Sequence, residues 1–149
     1  MLNKIDNIHR RRAIVIIIAT ILFFSAKGFL SSIIGVGFVI EREVIGINGS
    51  ERIVLFESDT EGVKVEDNYL RMLSPESSKN LQIGEPIKTE LKKKYPEIEY
   101  RVQMKICTED TVRDYKVKRE DFNTLSIGTI ARFEVYLSDR TSIDRIIET

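Results

Sequence analysis

The chain has 149 residues, 31% of them charged, with 23 Lys and Arg against 23 Asp and Glu and a formal net charge of zero. A single cysteine, Cys107, rules out an intrachain disulfide. A single histidine, His9, leaves no zinc set and no Ser-His or Cys-His pair for the body of the chain. The charge is uneven. Lys4, Arg10, Arg11 and Arg12 against Asp6 give residues 1–12 a charge of +3, and Lys27 adds one, which leaves −4 for residues 41–149. That acidic body points away from nucleic acid, whose binding rests on clustered Lys and Arg that neutralise phosphates.

Residues 10–40 read RRRAIVIIIATILFFSAKGFLSSIIGVGFVI. Ala13 to Phe24 carries no charge, and Thr20 is its only hydroxyl. A helix apolar all round belongs in a bilayer or at the centre of a large protein, and a chain of this length has no such centre. A helix over residues 13–33 runs about 31 Å, close to the hydrocarbon thickness. Lys27 lies in its last third, where the long stem lifts the ammonium to the headgroups. The rival reading is a cleaved signal peptide. A cut after Ala26 puts Phe24 at the third position before it, and a cut after Ser32 puts Leu30 there, so neither fits the small-residue rule. An uncleaved anchor is expected, with residues 1–12 as a cytoplasmic basic flank because positive residues stay inside. Gly28 with Ser32, and Ser31 with Gly35, are small-residue pairs that permit close helix contact.

Gly35 and Gly37 are expected to mark the change from helix to extended chain, with an extracytoplasmic domain over residues 36–149. VGFVIEREVIGI and ERIVLFES flank Asn48-Gly49, a strong hairpin signal because both turn residues tolerate positive φ. Asn48-Gly49-Ser50 also fits a glycosylation acceptor, but the turn reading is preferred. Glu57, Asp59 and Glu61 alternate like a calcium loop without its closing glutamate, and are read as a solvated turn. Gly62 precedes a short strand at Val63 to Val65.

GEPIKTELKKKYP predicts the main helix, near Pro86 to Tyr95. Pro86 suits the first turn. Ile87, Leu91 and Tyr95 form its apolar stripe, and Glu90 precedes Lys94 by four residues. Lys92, Lys93 and Lys94 complement the negative end of the helix dipole. Lys88, Lys92 and Lys93 point away from the stripe, which makes them candidate partner-binding residues. From Ile98 the period becomes two: Ile98, Tyr100, Val102, Met104 and Ile106 inside, with Glu99, Arg101, Gln103, Lys105 and Cys107 on a wet face. Tyr115 and Val117, then Ala131, Phe133, Val135 and Leu137, continue the inner face, and SDRT turns the chain into SIDRIIE. The phrase LSIGTIARFEV is similar to the loop-to-strand entry of many small barrels and to the C-terminal part of some membrane-anchored bacterial proteins. That likeness is confined to those residues. Leu81-Gln82-Ile83-Gly84 and Leu125-Ser126-Ile127-Gly128 repeat L-x-I-G and read as two similar turns.

The expected fold is α+β and mainly antiparallel: one transmembrane helix, then a small β-rich domain (meander, partly open barrel or sandwich) with one main helix. No catalytic motif, phosphate-binding glycine loop, metal set or cofactor motif is found, so the chain reads as non-catalytic. The expected function is a single-pass membrane protein whose extracytoplasmic domain is an interaction or assembly module, with the lipid bilayer and a protein as partners. The alternative is an accessory subunit whose span packs within a transporter, channel or secretion complex.

Overall fold

Val39, Val44 and their β-branched neighbours belong to one long strand of 17 residues, β1 (Ser32–Asn48). The computed structural model describes residues 31–66, 69, 73 and 80–149. Gly49, at φ +62°, turns β1 into β2 (Glu51–Asp59), the hairpin that Asn48-Gly49 predicts. A second turn leads to β3 (Gly62–Val65), then helix α1 (Glu85–Lys94), β4 (Glu97–Ile106) and β5 (Thr111–Val117). Helix α2 (Arg119–Thr124), β6 (Ile130–Tyr136) and β7 (Asp139–Glu148) complete the order.

β1 is long enough to serve three neighbours in turn. Ser32–Phe38 pairs with β6, Gly37–Ile47 with β4, and Arg42–Asn48 with β2, all antiparallel. Register shifts between Val39 and Glu41, and between Val44 and Ile45, bend it from one partner to the next. The sheet runs β3-β2-β1-β4-β5-β7-β6, and β6 returns to β1. Five strands therefore close into a barrel, and β2 and β3 form an annex on the C-terminal half of β1. The sequence β6-β1-β4-β5 around the wall is a Greek key. The closing seam is slight: β5 and β7 run parallel and share the bridge Lys116–Ser142. Lys118 Nζ reinforces it by donating to the Asp144 carbonyl at 2.7 Å.

One core fills barrel and annex together, from Leu55 and Phe56 on β2 to Phe133 on β6. Ile87, Leu91 and Tyr95 are buried, as the stripe of α1 requires, and the Tyr95 ring packs flat on the backbone at Gly46. Phe122 of α2 is wholly buried and stacks near Tyr100, with ring centroids 5.5 Å apart. The alternation over Ile98–Ile106 holds: Tyr100, Val102, Met104 and Ile106 are inside and Lys105 is exposed.

Several expectations change. Ser32 and Ile33, placed in the expected span, are strand, and so are Gly35 and Gly37. These glycines make room inside the barrel and do not break a helix: a methyl at Gly35 would lie 2.7 Å from the Phe133 ring, and one at Gly37 3.1 Å from Met104. The folded unit thus begins before residue 36, and the Ser31/Gly35 pair does not lie on a helix. Residues 1–30, with the basic flank, His9 and most of the expected span, lie outside the described residues. No described helix is long and apolar enough to cross a membrane. Leu137 is exposed in a two-residue turn with Ser138, because β7 already starts at Asp139. Helix α2 escaped the sequence reading, being a six-residue helix with no side-chain cap and a single buried residue, too short to display a period.

Candidate interaction surfaces

The first L-x-I-G segment is bonded to α2, and Asn80 just before it donates to the Ser126 hydroxyl of the second at 3.2 Å. Asn123 accepts from the Ile83 N–H at 2.9 Å and donates to the Ile83 carbonyl at 3.1 Å, while Gln82 donates to the Asn123 carbonyl. Arg42 locks this floor. It is fully buried, donates to the carbonyls of Leu81 (2.7 Å) and Phe122 (2.6 Å), and reaches the Asn80 side chain at 3.0 Å. Burial pulls the guanidinium down to about 10, so it stays charged at neutral pH. Among the described residues no carboxylate pairs with it: backbone carbonyls, one from the last turn of α2, hold the charge. In the sequence Arg42 reads only as a charge between Glu41 and Glu43. The available signal was its phase, two residues before the core residue Val44.

Glu41 and Glu43, in the opposite phase, point outward on β1, and Glu57 lies on β2 opposite Glu43. Their carboxylate oxygens lie within 4.8 Å of one another, the one such acidic group among the described residues. Partial burial, then the neighbouring carboxylates, raise Glu41 and Glu43 above the ordinary range. Glu57 is balanced by Lys64, which bridges it (2.9 Å) and Asp59 (2.8 Å). Asp59 also accepts from the backbone of Glu61 and Gly62; Glu57 and Asp59 are the end of β2, and of the acidic run expected as a turn only Glu61 lies in one.

The outward residues of β4 and β5 form a ladder of ion pairs. Glu99 receives Arg52 (2.8 Å), Arg101 (3.2 Å) and Lys116 (3.2 Å), Arg101 also pairs with Asp114, and Lys105 pairs with Asp110 (2.7 Å). Burial raises the Glu99 carboxyl, but hydrogen bonds from Lys116 and Arg52 outweigh it and hold the group below its ordinary range. The face is thus internally neutralised and offers no aromatic ring for a base to stack on.

An apolar strip runs along the neighbouring wall. Ile34, Val36 and Phe38 share the outer face of β1, and Phe38 sits directly opposite Ile130 of β6. Ile34, Phe38 and Ile130 are exposed, Ile130 by 58%. On α1, Lys88, Lys92 and Lys93 face away from the core, as expected. Lys88 pairs with Glu85 and Lys93 with Glu90, both three residues away on the same helix, which tempers their positive field. Cys107 is an exposed free thiol at the β4–β5 turn.

No family model, curated protein or solved structure matches the chain.

Proposed function

We propose that this chain is a single-pass membrane protein, cytoplasmic at its N-terminus, whose extracytoplasmic barrel is a non-catalytic interaction module. The observation that carries the binding role is the strip Ile34, Val36, Phe38 and Ile130. An apolar strip on a closed barrel, exposed at Ile34, Phe38 and Ile130 and half-buried at Val36, beside a wall sealed by ion pairs, is the feature that protein partners cover. The apolar run from Ala13, the Arg10–Arg12 flank and the poor cleavage positions support the anchor. The α1 lysines extend the reading to a second contact face.

The test is purification of the full chain from native membranes in mild detergent, with wild-type, Phe38→Glu/Ile130→Glu and span-replaced forms compared. The interaction-module reading expects loss of the co-eluting protein in the double variant and its retention when the span is replaced by an unrelated one. Retention in the double variant with loss on span replacement overturns it in favour of a subunit that associates through its membrane helix.

A further inference from the structure

In the sequence, the stretch from Ala13 to Leu30, whose one charge is Lys27, leads directly to Ser31, whose carbonyl accepts a hydrogen bond from the Leu137 N–H at 2.9 Å. The β6–β7 turn is therefore fixed beside the point of entry. Each residue of extended chain spans at most about 3.6 Å, so the three residues from Gly28 to Leu30 set the turn within about 15 Å of Lys27, which the anchor reading places at the headgroups.

The residues gathered at this end have the matching chemistry. Ile33 is 46% exposed, Ile34 53%, Tyr136 37% and Leu137 39%. Ser32 pairs with Tyr136 and Ile33 with Val135, so the strand start and the turn rise to the same level. Ile33 belongs to the inner phase of β1 and is bared only because it stands at the barrel mouth. Tyrosine is suited to a boundary between apolar and wet phases, with its ring in one and its hydroxyl in the other. Three residues past Leu137, Arg140 has no ion-pair partner among the described residues, and a guanidinium matches phosphate oxygens. Its neighbour Asp139 is occupied, accepting from the Thr141 N–H (3.0 Å) and hydroxyl (2.7 Å).

We propose that this end of the barrel is seated in a phospholipid bilayer, with Leu137 and Ile33 at the apolar boundary and Arg140 among the headgroup phosphates. The barrel is then held in a fixed pose on the membrane and does not swing on a tether. This inference rests on the anchor reading above, and the test separates the two.

The full-length chain is reconstituted into phosphatidylcholine–phosphatidylglycerol vesicles as single-cysteine forms in a Cys107→Ser background. Nitroxide labels are placed at Ala19→Cys, Leu137→Cys and Ser50→Cys. Accessibility is read by power saturation against oxygen, which concentrates in lipid, and a nickel chelate, which stays in water. Seating predicts that the Leu137 label is oxygen-favoured and the Ser50 label chelate-favoured, with at least a several-fold difference in their accessibility ratios. A Leu137 label as open to the chelate as that at Ser50, with the Ala19 label in lipid, overturns the seating and leaves the anchor. A Leu137 label shielded from both agents also overturns it, because protein and not lipid then covers the turn. An Ala19 label in water overturns the anchor, and the seating with it.

Discussion

The Arg42 guanidinium lies 4.3 Å from the centroid of the Phe122 ring while donating to the carbonyl oxygen of that same residue. One side chain of β1 thus grips α2 through both its ring and its backbone, and reaches Leu81 on the facing segment. Arg42→Met leaves the Leu81 and Phe122 carbonyls unpaired in the core, at a cost of about 2–4 kcal/mol for the two. Arg42→Lys keeps the charge but loses the planar fork that reaches Asn80 and stacks on Phe122, and falls between Met and wild type. Urea unfolding of the three forms measures this order. A Met variant as stable as wild type shows that the floor does not depend on Arg42.

Met104 is fully buried while Lys105, the next residue, is exposed and paired with Asp110. Met104→Asp buries an unpaired carboxylate and costs about 3 kcal/mol or more. Lys105→Asp removes a surface ion pair and changes stability by about 0.5 kcal/mol. Similar losses at both positions contradict the register of β4.

The Phe133 ring closes over Gly35, where β1 meets β6. Gly35→Ala forces the ring or the strand aside, at about 1–3 kcal/mol. Starting the chain at residue 36 has a larger effect, because it removes the Ser32–Gly35 pairs with Tyr136–Phe133 and opens the barrel. Thermal melts should rank a 31–149 form above its Gly35→Ala variant, and that above a 36–149 form. Equal melting of the first and last excludes closure through β1.

Two carboxylates on the same sheet predict opposite pH responses. Glu43 is raised by burial and by Glu41, so its folded state favours the protonated form, and the penalty on folding grows as pH rises from the unfolded value through the folded one. Glu43→Gln is therefore stabilising at pH 7, and the advantage fades as pH falls toward 4. Glu99 is held low by Lys116 and Arg52, so its contribution is present above the ordinary carboxylate range and is lost as pH falls through its folded value. Glu99→Gln is destabilising at pH 7, and the difference closes in acid. Denaturant midpoints at pH 7 and pH 4 read both signs, and a shared sign refutes the assignment.

Reversal of Lys88, Lys92 and Lys93 to Glu should leave the fold intact, since none packs in the core. Glu85 and Glu90 then face like charges, at a cost of a few tenths of a kcal/mol per pair. Recovery of the native partner should fall, and more so at low salt. Wild-type recovery at every salt concentration makes α1 a solvated face and leaves the β1–β6 strip as the binding surface.

Much of the domain was legible because its elements carry local signals. Asn48-Gly49 sets a turn whatever surrounds it, and the alternation from Ile98 to Ile106 survives in three dimensions. The pattern is read wrongly where a residue answers to a distant partner. Gly35 looks like a break until the Phe133 ring, almost a hundred residues away, is placed over it. Arg42 looks like surface charge until Leu81 and Phe122 close around it. Glu99 was placed on a wet face and is almost wholly covered, because Arg52 and Lys116 converge on it from two other strands. Closure through β1 and β6 was likewise hidden, since nothing in either strand alone records which edge it will meet.

The shared strand β1 also governs how the molecule carries load. Tension applied on the N-terminal side of Ser32 runs along the axis of β1, perpendicular to the backbone bonds that join it to β6, β4 and β2. Those backbone bonds are then sheared together and cannot be peeled open one at a time, so no single bond can fail first. A pull from the C-terminal end instead meets β7, which joins β5 through one bridge and β6 through a ladder broken by three register shifts, and so can detach stepwise. The fold is therefore mechanically polar: stiff toward its N-terminal side and yielding toward the other.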